Sequence, residues 1–220
     1  MLDVGQGDAV FLRSPRGRTM LVDGGGRQQG YDVGERVLVP FLRELGIERI
    51  DVVVASHPHG DHIGGLVTLL ETLEIGAYLD SGQRYDSWTA QRIRTLIQER
   101  GISYYAVAAG DSLVGLGGVG GLVLHPNPHF VSEAGVSLDG LNNGSVVLRL
   151  TYGGKAVLLT GDIEQETDPD LLGWGDRLHS EVLKVAHHGS RTSSTRRFLE
   201  AVNPSLATIS CGTNNRFGHP

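Results

Sequence analysis

The run His57-Pro58-His59-Gly60-Asp61-His62 limits what this chain can become more than any other stretch, because it places three imidazoles and a carboxylate in six positions. It follows Ile50-Asp51-Val52-Val53-Val54-Ala55, a β-branched run that reads as a buried strand. Leu66 to Leu73, just behind it, reads as a helix. The cluster therefore occupies a strand-to-helix loop, where a rigid scaffold presents several side chains to one point. Alternation along a strand would send neighbours to opposite faces. A loop instead can turn His57 and His59 toward one ion and Asp61 and His62 toward a second. Imidazole and carboxylate are the donors that divalent first-row metals favour. A single His beside Pro and Gly is an ordinary turn residue. This many polar groups buried without partners would be costly, and a metal loop accounts for them.

The remaining chain alternates strand and helix signals. Leu2 to Leu12 reads as strand, glycine turn and strand, and Thr19 to Val22 as a strand ending at Asp23. Val33 to Leu45 carries apolar residues at helical spacing despite Pro40. Ala77 to Leu79 and Ile102 to Ala108 read as strands, separated by an amphipathic helix over Thr89 to Arg100 that Gly101 closes. Phe130 to Leu141 has no clear period and is expected to be an exposed loop. Ser145 to Thr160 is a hairpin signal around Gly153-Gly154, and it delivers Gly161-Asp162-Ile163-Glu164 at a strand end. Glu181 to Ala186 is a further strand, delivering His187-His188-Gly189-Ser190. Ser193 or Ser194 is expected to cap a helix running through Leu199. The start of that helix, near Ser190, Arg191 and Thr192, is a candidate anion site; a solvated basic face is the plainer reading. Pro204 to Ser210 is the last strand.

A length of 220 residues suits one domain, 1–220, large enough for a two-sheet core. No apolar run approaches the length of a membrane span, so membrane insertion by this segment itself is not expected, and no signal peptide is visible. The net charge of -6 gives no global basic field for nucleic acid, although bound dications would reverse the sign locally. Cys211 stands alone, which excludes an internal disulfide. Leu2 reads as a strand already under way, and Arg216 to Pro220 lack a closing element, so the chain is expected to be a domain of a longer protein.

The H-x-H-x-D-H loop, Gly161-Asp162 after its hairpin, and His187-His188 at a strand end resemble the metal motifs of the metallo-β-lactamase superfamily of binuclear hydrolases. The opening Leu2-Asp3-Val4-Gly5-Gln6-Gly7-Asp8-Ala9 and the ending Asn214 to Pro220 narrow the resemblance to the ComEC-type hydrolase-like domain of DNA-internalisation proteins. The resemblance runs from Leu2 to Pro220. It implies a mixed α/β (α+β) fold, the four-layer αββα sandwich. It also implies two divalent ions, Zn or Mn, with His57 and His59 on one, Asp61, His62 and His188 on the other, and Asp162 bridging. Asp23 resembles the superfamily's first motif, a carboxylate that supports the metal loop without ligating. Adjacency alone leaves open which of His187 and His188 ligates; His188 is favoured, and His187 would then face the substrate.

Asp61, Glu164 and His187 are the catalytic candidates, and Asp8, Asn143, Ser190 and His219 are candidate substrate contacts. Gln6 and Asp8 could line the site or serve turn and capping chemistry. His125 and His129 read as loop residues rather than ligands. Many superfamily members carry another histidine on the first metal; Asn142-Asn143-Gly144-Ser145 offers none, so that site is expected to be weaker or completed by oxygen.

The resemblance implies a nuclease cleaving DNA phosphodiesters during competence, tethered to transmembrane channel domains of a parent protein in the cell membrane, on the extracytoplasmic side. One alternative is a phosphoesterase acting on another substrate, such as a choline-phosphate ester, because related domains share the G-D-x-E and H-H pattern. The other is a non-catalytic DNA-guiding module, against which the full set of ligand-type side chains in the loop counts.

Overall fold

The computed structural model describes residues 1–28, 30–137 and 139–220. In the first half, β1 (Val10–Arg13) pairs antiparallel with β2 (Thr19–Val22), and β3 (Arg27–Gln28) with β4 (Tyr31–Asp32) forms a separate ribbon. β5 (Arg49–Val54), β6 (Glu74–Asp80) and β7 (Ser103–Ala106) extend the sheet in parallel, giving the order β1-β2-β5-β6-β7. In the second half, β8 (Ser112–Leu116), β9 (Val119–His125), β10 (Val147–Tyr152) and β11 (Lys155–Leu159) form an antiparallel meander. β12 (Val182–Lys184) and β13 (Leu206–Thr208) join it in parallel, and the order is β13-β12-β11-β10-β9-β8. Helices α1 (Val39–Glu44), α2 (Gly60–Ile63), α3 (Leu66–Thr72) and α4 (Trp88–Glu99) belong to the first half, α5 (Asp168–Leu172) and α6 (Arg196–Val202) to the second.

Strand alternation sorts the apolar side chains into layers. Leu21 and Val53 point outward, into a cluster with Leu38, Leu42, Leu70 and Ile93. Their neighbours Met20, Val22 and Val54 point inward, against Val123, Leu148, Leu150 and Leu159 of the other sheet. On the far side of the second sheet Val147, Leu158 and Leu183 meet Leu171, Phe198 and Val202. Helix, sheet, sheet, helix is thus the stacking that buries every apolar face, and the fold is the αββα sandwich.

Several local expectations change. Leu2 to Val4 is not a strand; Leu2 N–H donates to the Ala9 carbonyl at 2.9 Å and closes the segment into a loop. The helix expected over Val33 to Leu45 begins as a π-helical turn, Gly34–Leu38, and only then becomes α1. Pro40 falls where that turn passes into α1, directly after Val39, whose N–H still donates to the Gly34 carbonyl. Thr195, not Ser193 or Ser194, caps α6, its side chain accepting from the Phe198 N–H. The segment expected to be an exposed loop from Phe130 buries Phe130 and Val131; Leu138 of that segment lies outside the described residues.

This topology gathers chain ends. β2 runs parallel to β5, and β11 runs parallel to β12 and β13. The residues just past the carboxyl ends of these strands meet along one edge of the sandwich, as is usual for ligand sites in parallel sheets.

Candidate metal centre

Asp23, directly after β2, sits at φ 59°, and this left-handed turn folds its carboxylate back over the end of β5. Its Oδ1 accepts the Ser56 N–H at 2.7 Å, and its Oδ2 accepts the Ser56 hydroxyl at 2.8 Å and His62 Nδ1–H at 2.9 Å. With Nδ1 occupied as donor, the His62 lone pair is at Nε2, pointing to the interior of the loop.

The metal loop turns tightly because α2 starts at Gly60, immediately after the extended His59. Gly65 then permits a close approach: a Cβ there would stand 2.2 Å from the Gly24 carbonyl oxygen. His57 is buried, and its Nε2 is 2.9 Å from Nδ1 of the half-buried His59.

Asp162 arrives from the other sheet. Its Oδ2 lies 3.0 Å from His62 Nε2, 3.2 Å from His188 Nε2 and 4.0 Å from His57 Nε2. His187 and His188 both adopt left-handed backbone, at φ 47° and 54°, and this double twist sends their rings to different places. His188 is buried, donates from Nδ1 to the Ser210 carbonyl at 2.8 Å, and aims Nε2 at Asp162 and, at 3.6 Å, at Asp61. His187 turns toward the surface, its Nδ1 3.0 Å from Glu164 Oε1.

These donors fit divalent metal. Ligand atoms of His57, His62 and Asp162 lie within 4.8 Å of one another, and so do those of Asp61, His62 and His188. His188 Nε2 is buried with no hydrogen-bond partner, a cost that a coordinated ion would remove. His59 joins through its short contact to His57.

The electrostatics mark the same point. Burial opposes charge on His62, but Asp162 and Asp23 on its two sides outweigh it and hold the imidazole well above its usual value. Burial also opposes charge on His188, where the carboxylates of Asp162 and Asp61 prevail and carry it to about 9. His57 goes the other way, held well below the usual value by burial and by the neighbouring His62. Burial would raise Asp162, yet His62, His188 and Lys184 hold it well below the ordinary carboxylate range. A cluster that draws protons onto buried imidazoles around one carboxylate is a site that prefers positive charge at its centre.

Other expected site residues are placed differently. Asp8 is 2% exposed and Asn143 3%, and both are held by partners within the protein. Asp8 pairs with Lys184, while Asn143 Oδ1 accepts the Glu164 N–H at 2.8 Å and so fixes that loop. Ser190 contacts Thr192, whose hydroxyl donates to Glu164 Oε1 at 3.1 Å, placing Ser190 on the rim. The His219 ring stands 5.6 Å from His187 and 5.8 Å from His188. His125 donates to the Asn143 carbonyl and His129 pairs with Asp170. The residue that sequence reasoning passed over is Lys184, 3% exposed and 3.6 Å from Asp162 Oδ1. The available signal was a charged side chain inside the apolar run Val182 to Ala186.

Room for a substrate lies alongside. A cavity of 640 Å³ opens next to His57 and Pro58, bounded by Ser81, Gln83, Arg94 and Tyr104. Tyr85 meets His59 edge to face at 6.0 Å, and Trp88, 60% exposed, carries the Arg27 guanidinium 5.1 Å above its ring.

A sequence-family model described as "Metallo-beta-lactamase superfamily" matches residues 2–213. The chain is 32% identical over 233 residues to ComE operon protein 3 of Bacillus subtilis (strain 168), covering 100% of this chain and 29% of that protein. It is 32% identical over 219 residues to competence protein ComA of Neisseria gonorrhoeae, covering 99% of this chain and 27% of that protein. The chain thus spans less than a third of these relatives. Among solved structures, CmlA, a diiron β-hydroxylase from Streptomyces venezuelae, superposes with a TM-score of 0.60 at 17% identity, over 94% of this chain and 43% of that one. At that identity the likeness concerns the fold.

Proposed function

The chain belongs to the metallo-β-lactamase superfamily, and from that premise we propose that it is a binuclear metal-dependent hydrolase that cleaves DNA phosphodiesters during DNA uptake. One observation carries the reading: Asp162 Oδ2 stands within 4.0 Å of imidazole nitrogens from His57, His62 and His188, which come from both halves of the chain. In this reading His57 and His59 hold one divalent ion, Asp61, His62 and His188 the other, and Asp162 lies between. Zn and Mn both suit mixed nitrogen and oxygen donors. Two such ions supply Lewis acidity toward a phosphoryl oxygen and make water acidic enough to attack near neutral pH.

The protein's own part is orientation and proton handling. Asp23 fixes the His62 ring, and the Ser210 carbonyl fixes that of His188, so both present Nε2 inward. His187 and Glu164 form a couple 3.0 Å apart on the open side, placed to give a proton to a leaving oxygen. Asp61 Oδ2 stands 3.6 Å from His188 Nε2.

The kinship with ComE operon protein 3 and competence protein ComA supports DNA as the substrate. The exposed aromatic rings of Tyr85 and Trp88 beside His59 and Arg27 supply flat faces on which bases stack. No described helix is long and apolar enough to cross a membrane. In this proposal the membrane location comes from channel domains of a parent protein, which would hold this domain on the extracytoplasmic side.

The test is incubation of the purified chain with labelled DNA and Mn or Zn. Cleavage that a His59→Ala, Asp61→Ala variant loses is the expected result. Turnover of small phosphoesters such as a choline-phosphate ester, with DNA left intact, would replace the nuclease reading. DNA binding without cleavage of either would leave a guiding module.

A further inference from the structure

The dinuclear reading gives no role to Lys184, the buried ammonium of the site. Lys184 ends β12 and is 3% exposed. Its neighbour Leu183 packs into the outer cluster, so alternation turns Lys184 inward, between the sheets. There its ammonium ion-pairs with Asp8, donates to the Gly161 carbonyl at 2.9 Å and stands 3.6 Å from Asp162 Oδ1. Asp8 is 2% exposed, and its Oδ1 lies 3.7 Å from His188 Nδ1.

The surroundings of this ammonium are those of a metal ligand set. Asp8, Asp162 and His188 have ligand atoms within 4.8 Å of one another, and the Gly161 carbonyl faces the same point. Two carboxylates and a carbonyl are donors that a hard divalent cation accepts. An aliphatic residue on the inward face of β12 would instead carry no desolvation cost.

We propose that the Lys184 ammonium is a protein-borne cation filling a third coordination position, made by Asp8, Asp162 and the Gly161 carbonyl, that would otherwise take another divalent ion. The inference rests on the dinuclear reading above and adds to it a reason why the complement stops at two. Lys184 is then a positioning residue. It engages Asp162 Oδ1 and leaves Oδ2 alone to face His57, His62 and His188. Asp8 becomes its counter-ion rather than a metal ligand or a substrate contact.

The experiment counts ions by native mass spectrometry after loading with Mn(II) and desalting, with circular dichroism to report folding. Lys184→Ala opens the position and is expected to hold one more ion per chain than the wild type. Lys184→Met fills the space without charge and should hold the wild-type number, as should Asp8→Asn combined with Lys184→Ala, which lacks the anion. A folded Lys184→Ala chain with the wild-type number overturns the proposal. So does an extra ion that persists in the double variant, because it must then lie elsewhere. Should Lys184→Ala be unfolded without metal, recovery of the native spectrum on adding Mn(II) supports the proposal, and failure to recover overturns it. A wild-type chain with fewer than two ions would refute the dinuclear reading, while the difference between variant and wild type still decides this one.

Discussion

His62 Nε2 lies 3.0 Å from Asp162 Oδ2 across 100 positions of sequence. The first residue follows a strand of one sheet and the second a strand of the other, so this contact joins the two halves of the sandwich at the site. Asp162→Asn tests it directly. With the shared anion gone, metal content should fall by at least one ion per chain, and hydrolysis should fall to background. Retention of full metal content by the variant would remove Asp162 from the centre.

Asp23 acts one step back. It holds Ser56 and the Nδ1 side of His62, and loss of such supporting partners weakens metal binding by roughly 10–100-fold. Asp23→Ala should show that drop in competition with a chelator. An unchanged affinity would mean that the loop keeps its shape unaided.

His187 and Glu164 sit outside the ligand cluster, 3.0 Å apart. His187→Gln or Glu164→Gln should therefore leave metal content untouched while lowering kcat by about 10²–10⁴-fold, the range of a lost general acid or base. If metal is lost along with activity, His187 is a ligand and the roles of the adjacent histidines are reversed.

Gly7 is held at φ +125°, and a Cβ there would stand 2.1 Å from the Asp61 carbonyl oxygen. Gly7→Ala should cost on the order of 1–3 kcal/mol in backbone strain alone and displace the metal loop as well. A lower Tm together with weaker metal binding is expected. Wild-type values for both would show that the opening loop is not braced against Asp61.

His125 gives a pH dependence away from the metals. Burial pushes its imidazole down from 6.5 to about 4. Above pH 6.5 it is neutral in both folded and unfolded chains. As the pH falls from 6.5 toward 4, the unfolded chain takes up a proton that the folded chain refuses, so stability is lost across that window. The loss is roughly 3 kcal/mol over the whole window, about 2 kcal/mol of it by pH 5. Urea unfolding of metal-free protein at pH 7 and pH 5 should show it, and His125→Gln should flatten the difference. Equal slopes for variant and wild type would sink the idea.

Local chemistry was legible wherever a short pattern fixes a short structure. The β-branched run before Ala55, the Gly153-Gly154 turn with both residues at positive φ, and the capped helix over Trp88–Glu99 all follow from periodicity and backbone preference. The donor types in His57 to His62 also pointed to metal without any partner in view.

Sequence alone thus offered the donor types and the strand ends that carry them, because alternation and residue chemistry are properties of neighbouring positions, while the stacking of helices on two sheets was what the resemblance implied. Tertiary structure decided the rest. The left-handed pair at His187 and His188 separated an inward ring from an outward one, which adjacency could not do. Only packing revealed that Asp8 and Lys184, far apart in sequence, neutralise one another beneath Asp162. Whether a charge faces solvent, substrate or a buried counter-charge depends on which distant strand lies opposite it, and no local pattern records that.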